Sequence, residues 1–216
     1  MGLKPYGVFL NTVLSIKMRE SVNITRGWGL LEGFLAKQRA KRANGFIPKS
    51  SRVGRILDIG CGSFPYFLST TNFKEKYGLD PVLNLAAVKG ANIRLTKASI
   101  GKKRLPFEDN FFNVVTMLAV FEHIEHNNLV AVIKELRRVL KKDGMLIITT
   151  PAPWADKLLH QMAKVSLISS EEIHEHKHNH SKEKIGDIIE DGGFSKSKIR
   201  SGFFELGMNM WFVARK

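Results

Sequence analysis

The chain contains a single cysteine, Cys61, in 216 residues. One thiol closes no intramolecular disulfide, which excludes an oxidatively stapled extracellular scaffold and makes a cytoplasmic protein the expectation. Long apolar runs are missing as well. Lys, Arg, Asn or Asp interrupts every apolar stretch before it reaches the ~18 residues of a membrane span. Residues 5–16 come nearest to a secretory leader, but Asn11 and Thr12 split them and Lys17, Met18 and Arg19 follow without a small-residue cleavage site, so they read as mature sequence. Seven prolines and 18 glycines are too few for a collagenous or low-complexity chain. With 44% hydrophobic and 25% charged residues the composition is that of an ordinary globular protein, which excludes disorder and fibres. The length suits one domain with added elements better than two independent cores.

Negative charge is also scarce, with 20 acidic residues against 34 basic ones and a net charge of +14. The excess lies at the front: residues 1–55 hold 11 basic and 2 acidic residues, net +9, which leaves +5 for the other 161. Such a segment attracts polyanions, whether nucleic acid, anionic headgroups or phosphorylated intermediates. The alternative is a solvated basic face with no dedicated partner.

What is present follows a βαβ rhythm after a helical front. Residues 6–46 have a helical pattern in which Leu30, Leu31, Phe34 and Leu35 form an apolar stripe while Lys37, Arg39, Lys41 and Arg42 face away. Gly45 and Pro48 end it, and the polar stretch 49–54 reads as a linker. The expected domains are therefore a basic helical extension or lid at 1–50 and a main domain at 51–216. Strands are expected at 55–59, 77–80, 93–97, 111–118, 145–150, 198–204 and 208–214. Helices are expected at 64–72, 81–89, 127–142 with an asparagine cap in front, and 182–190 behind a Ser181 cap. The apolar run at 111–118 needs helices on both faces of its sheet. The expected fold is α/β: a Rossmann-like, seven-stranded, mostly parallel sheet with an antiparallel last strand, flanked by helices and carrying an N-terminal helical extension.

Ile56-Leu57-Asp58-Ile59-Gly60-Cys61-Gly62 is a buried strand running directly into a glycine turn. Without Cβ atoms, Gly60 and Gly62 adopt angles closed to other residues and let a ligand lie against the main chain at the carboxyl end of the strand. Asp80 closes the next strand 18 residues beyond Gly62, a spacing at which a carboxylate meets a ribose diol. The third glycine of a dinucleotide fingerprint is absent, with Phe64 and Pro65 in its place, which disfavours NAD.

These segments resemble the class I S-adenosylmethionine (SAM) dependent methyltransferases, in particular the broad type 11 group. Residues 57–62 resemble its first motif and Gly78-Leu79-Asp80 its second. Residues 105–115 are similar to the segment entering the fourth strand, and 136–146 to the helix and turn before the fifth. The likeness spans residues 55–194. It implies SAM as cofactor, a pocket lined by Asp58, Gly60, Cys61, Gly62, Asp80, Pro81, Ser99 and Ala119, ordering of the SAM amino group through Asp58, and ribose contacts from Asp80. The adenine-binding acid usual after the third strand is missing from Ala98-Ser99-Ile100-Gly101, where Ser99 or main chain substitutes. Asn113 stands where the family has Asp, a change that bears on packing.

Catalytic candidates follow from position. Glu122 and His123 lie just past the fourth strand at its carboxyl end, within reach of an acceptor that needs proton removal; the alternative is that they orient the loop. The same pair resembles part of a divalent-metal site found in some related methyltransferases, but Ala119 replaces the further acid and no metal is expected. Four of the seven histidines fall at 174–180. A pocket-edge or solvent loop is the expectation there, with His174 and His178 placed to touch substrate. Cys61 suits packing behind the cofactor, and Trp28, Trp154 and Trp211 suit packing or pocket walls. The resulting expectation is an enzyme that methylates a small-molecule or lipid- or cell-surface-linked acceptor, with the basic front meeting an anionic acceptor, a membrane surface or nucleic acid. The alternatives are an RNA methyltransferase and a non-catalytic SAM-binding scaffold.

Overall fold

The structure, a computed structural model, describes residues 32–83, 92–101, 103–155 and 180–216. In chain order the elements are α1 (Glu32–Phe46), β1 (Arg55–Ile59), α2 (Tyr66–Thr70), β2 (Glu75–Leu79), β3 (Ile93–Thr96), β4 (Phe112–Leu118), α3 (Leu129–Val139), β5 (Leu140–Pro151), α4 (Lys182–Asp191), β6 (Ile199–Phe204) and β7 (Asn209–Arg215). The seven strands form one sheet in the order β3-β2-β1-β4-β5-β7-β6. Every pairing is parallel except those of β7, which runs antiparallel to both β5 and β6. This is the mostly parallel Rossmann-like architecture the sequence predicts.

The strand order turns back at β1, with β2 and β3 to one side and β4 and β5 to the other, so a crevice opens at the carboxyl ends of β1 and β4. Both faces of the sheet are covered. Leu129, Val132, Ile133, Leu136 and Val139 of α3, with Ile185, Ile188 and Ile189 of α4, pack on one face against Leu57, Val115 and Ile148. On the other, Ala40 and Ala43 of α1, Ile47, and Phe67 and Leu68 of α2 pack against Ile56, Val114, Ile147 and Val213. Residues 32–47 thus share a core with the sheet.

Several elements depart from the sequence expectations for identifiable reasons. The buried face of α1 is Ala40 and Ala43, small residues that bring the helix close to the sheet, while Phe34 is 55% exposed and Leu35 half-buried. Lys41 and Arg42 line the same groove as those two, so the stripe and the basic residues do not occupy opposite faces. Leu30 and Leu31 lie outside the described residues. The 49–54 stretch is pinned rather than loose: Lys49–Val53 forms a 3-10 turn, and Arg52 donates to the Asn44 and Ile47 carbonyls and to Thr71 Oγ1.

The helix expected from Phe64 begins at Tyr66, because a residue preceding proline is driven out of the helical region. It stops at Thr70, where Thr71 turns extended and donates from Oγ1 to Asn44 Oδ1 at 2.6 Å. α3 is shorter than its pattern at both ends. Residues 126–128 form a 3-10 turn, and Asn128 stands at the cap position without a side-chain cap bond. At the far end, fully buried Leu140 leaves the helix to pair with Phe112 on β4, so sheet burial outweighs the helical propensity of Lys141 and Lys142. Ser181 caps α4 as expected, its Oγ accepting from the Lys184 N–H. Most of the helix expected at 81–89 falls outside the described residues.

A candidate cofactor site at the carboxyl edge of the sheet

Buried, branched and aliphatic residues make β1 a core strand, and its end is fixed by hydrogen bonds that continue past it. Gly60 donates its N–H to the Leu79 carbonyl at 2.7 Å, adding one rung to the β1–β2 ladder. The chain then turns through Gly60 at φ +71° and Gly62 at φ +75°, angles that glycine adopts at no steric cost. A Cβ on Gly60 would lie 2.2 Å from Val120 Cγ2, so the segment after β4 closes directly over this turn.

Asp80 latches the turn. Its Oδ2 accepts from the Gly62 N–H at 2.9 Å and its Oδ1 from the Val82 N–H at 2.8 Å, the latter an Asx turn across Pro81. The Asp80 N–H in turn donates to the Thr96 carbonyl at the end of β3. One buried residue, through its carboxylate and its own N–H, therefore joins the ends of β1, β2 and β3. Pro81 follows it, exposed, at the same edge, and half-buried Ser99 lies just beyond β3.

Asp58 points from β1 into the same region. Its Oδ1 accepts from Thr116 Oγ1 on β4 at 2.6 Å, and the Asp58 carboxyl is pushed up to about 7, by burial above all and by the Asp80 charge in addition, against the Thr116 hydrogen bond. Thr116 is a residue the sequence reading passed over. Its signal was a hydroxyl inside the apolar run Val114-Val115-Thr116-Met117 of a core strand. The Cys61 thiol is buried beside the position a Cβ on Gly78 would take, and burial together with the Asp58 and Asp80 charges raises its pKa well above the ordinary thiol value. It packs and is not a nucleophile.

Across the crevice, Ala119 ends β4 with φ +55°, a left-handed angle unusual for alanine, held by its N–H donating to the Thr149 carbonyl at 2.9 Å. The 3-10 turn Phe121–His123 follows. Glu122 is only 3% exposed, and its Oε2 accepts from Thr150 Oγ1 at 3.0 Å, while His123 is half-buried beside it. Farther along, His126 Nδ1 lies 3.3 Å from His180 Nε2, which ties this loop to the start of α4. His174 and His178 lie outside the described residues, as does Trp28. Among the described residues no three His, Cys, Asp or Glu side chains gather as a metal site. Asn113 accepts from the Arg55 N–H at 3.0 Å and joins β4 to the start of β1, a packing role. Among the described residues no helix is long and apolar enough to cross a membrane.

The structure thus brings Asp58, Gly60, Cys61, Gly62, Asp80, Pro81, Ser99 and Ala119 to one edge of the sheet, with Glu122 and His123 beside them. The arrangement fits SAM: a bare main-chain turn against which the ligand can lie, and two buried carboxylates beside it to meet a ligand ammonium and hydroxyls.

Comparison with known proteins agrees. Residues 57–148 match a family model described as a methyltransferase domain. An uncharacterized protein of Methanocaldococcus jannaschii is 33% identical over 137 residues, 63% of this chain and 53% of that protein, so the chain spans about half the length of the curated relative it matches. The crystal structure of a SAM-dependent methyltransferase from Archaeoglobus fulgidus superposes with a TM-score of 0.63 at 16% identity, covering 83% of this chain and 94% of the other. A second, from Mesorhizobium loti, does so with the same TM-score and identity over 84% and 100%. Residues 57–148 thus match a methyltransferase domain, and the fold built around them is one that SAM-dependent methyltransferases of known structure share.

Proposed function

We propose that this protein transfers a methyl group from SAM to a small-molecule or lipid- or cell-surface-linked acceptor bearing negative charge, and that it does so in the cytoplasm. The observation that carries the reading is the Gly60–Gly62 turn latched by Asp80 beside the buried Asp58. SAM brings an already activated methyl group on a sulfonium, so the protein's task is to hold the acceptor in line with it. The main chain of Gly60 and Gly62 provides the bed, and Asp80 fixes that bed before any ligand arrives. Ala119 and Val120 close over it from β4. The net charge of +9 over residues 1–55 supports an anionic acceptor.

Glu122 is read here as a positioning residue that holds the post-β4 turn through Thr150, because it is buried and already hydrogen-bonded. Proton removal, for an acceptor that requires it, falls to the half-buried His123. Glu122→Gln is therefore expected to keep turnover within about tenfold of wild type, since the amide oxygen still accepts from Thr150, and to leave the pH profile in place. A base acting through Glu122 would instead lose roughly 10²–10⁴-fold and the corresponding limb of the profile.

The net charge of +14 favours a second reading, methylation of RNA. Incubation with methyl-labelled SAM separates them. Label entering anionic small molecules or amphiphiles, with one S-adenosylhomocysteine released per methyl, supports the proposal. Label entering a transfer RNA pool, with affinity falling steeply with salt, supports the RNA reading. Tight S-adenosylhomocysteine binding with no turnover on either class of acceptor leaves the scaffold.

A further inference from the structure

A cavity of about 660 Å³ lies between α1 and the β6–β7 hairpin turn. This is the size range of a site for one small ligand and far too small for a bilayer surface. Its walls are apolar, with Phe34, Leu35 and Phe46 from α1 facing Phe204, Leu206 and Met208 from the hairpin. Lys41 and Arg42 stand at it as cations. The Arg42 guanidinium is fixed over the rings of Phe46 and Trp211, at 5.0 and 5.3 Å. Asn209 on the hairpin is buried, and its Oδ1 has no hydrogen-bond partner among the described residues. Among the described residues Glu205 contributes the cavity's one carboxylate, with its Oε2 accepting from Asn209 Nδ2.

The turn itself is unusual. Glu205 and Leu206 take φ of +52° and +55° in succession, a conformation that favours Asn or Gly, and Leu206 is held 96% exposed at the mouth of the cavity. A bulky apolar residue kept in a strained, solvated turn is what an apolar ligand would need there.

The cavity also sits at the working edge of the sheet. Asn209 pairs with Pro151 at the end of β5, Thr149 with Leu118 at the end of β4, and β4 adjoins β1. Three strand spacings of ~4.8 Å separate Asn209 from the Gly60 turn, or roughly 14 Å. A ligand anchored in the cavity reaches the cofactor turn along the strand ends without crossing the core.

We infer that this cavity holds the acceptor's apolar tail, and that the acceptor is a single-chain anionic amphiphile whose acidic group is met by Arg42 and Lys41. The inference rests on the methyltransferase reading and narrows its acceptor class. Gly45 provides a clean test, because it lines the cavity while a Cβ added there meets nothing within 4 Å. Gly45→Leu fills the space and strengthens α1, since glycine is a poor helix former.

The probe is dodecyl phosphate below its micelle concentration, titrated by calorimetry, with dodecyltrimethylammonium for charge and phosphatidylglycerol vesicles for a membrane surface. Expected are one saturable site for dodecyl phosphate, at least tenfold weaker binding of the cation, and at least tenfold weaker binding of dodecyl phosphate by Gly45→Leu and by Arg42→Ala. Gly45→Leu should show an unchanged or raised Tm and an unchanged affinity for S-adenosylhomocysteine. No saturable binding, equal binding by Gly45→Leu, equal binding of the cation, or binding to vesicles without binding to the monomer each overturns the inference. Amphiphile binding by a protein that fails to bind S-adenosylhomocysteine would preserve the cavity and sink the methyltransferase reading, and the converse result would do the opposite.

Discussion

Gly60→Ala is expected to lower stability by about 3 kcal/mol and to weaken S-adenosylhomocysteine binding by at least ~100-fold. Two costs add. An alanine at φ +71° pays ~1–2 kcal/mol for the left-handed backbone. Its Cβ would also arrive 2.2 Å from Val120 Cγ2 and 3.3 Å from Val120 Cβ, and overpacking of this kind costs ~1–3 kcal/mol. At ~2–4 °C per kcal/mol for a chain of this size, the Tm falls by about 10 °C. Relief cannot come from moving Val120 as a unit, because Ala119 before it is tied to Thr149 and is itself left-handed. The double variant Gly60→Ala/Val120→Ala separates the two costs. It should recover the packing part of the stability but not the cofactor affinity, which depends on a bare turn. Equal affinity in Gly60→Ala and wild type, by calorimetry, would mean that the turn is a tight connection and nothing more.

The second large effect concerns Asp58, whose carboxyl sits at about 7 in the folded protein against an ordinary value near 4. A folded-state pKa raised in this way means that the folded protein holds a proton the unfolded chain has released. The associated stability is fully present below pH ~4 and is lost as the pH rises through about 7, amounting to ~4 kcal/mol in all. Asp58→Asn removes the titration and keeps an oxygen to accept from Thr116. Its Tm should exceed that of wild type at pH 8 and converge on it toward pH 4 to 5, as read by thermal unfolding across the pH range. Cofactor binding carries the same signature with the opposite consequence. A ligand ammonium beside Asp58 favours the carboxylate, so wild-type affinity for S-adenosylhomocysteine should rise between pH 6 and 8 with release of a proton, and Asp58→Asn should bind weakly without that slope. A variant whose Tm runs parallel to wild type at every pH would show that Asp58 is not held protonated by its burial.

Much of this site was legible in the sequence because its chemistry is local. The strand bounds at 55–59 match the observed β1, and Gly60, Gly62 and Asp80 could be singled out from spacing, since a turn that needs glycine and a carboxylate at the next strand's end are both written in consecutive residues. What Asp80 does was only half visible: a ribose contact could be expected from its spacing after Gly62, whereas its grip on the Gly62 and Val82 N–H groups depends on how β1 and β2 lie side by side. Thr116 escaped notice because its partner is 58 residues away. The end of α3 was misplaced because Lys141 and Lys142 look helical in isolation, and only the pairing of Leu140 with Phe112 says otherwise. The acceptor cavity was invisible for the same reason. Phe34 and Leu206 are remote in sequence, and the apolar stripe containing Phe34 reads as core until the helix is seen to pack through Ala40 and Ala43 instead.

The central claim is that the Asp80-latched glycine turn binds SAM, and it is tested most directly by titrating S-adenosylhomocysteine into wild type and Asp80→Asn. Both Asp80 oxygens accept main-chain N–H groups, and asparagine offers one oxygen, so its NH₂ must face one of those donors and the turn comes loose. Wild type should bind one equivalent with a Kd of ~10 μM or tighter, and folded Asp80→Asn at least ~100-fold more weakly. A folded wild-type protein that takes up no ligand at millimolar concentration, or an Asp80→Asn variant that binds as tightly as wild type, would contradict the account.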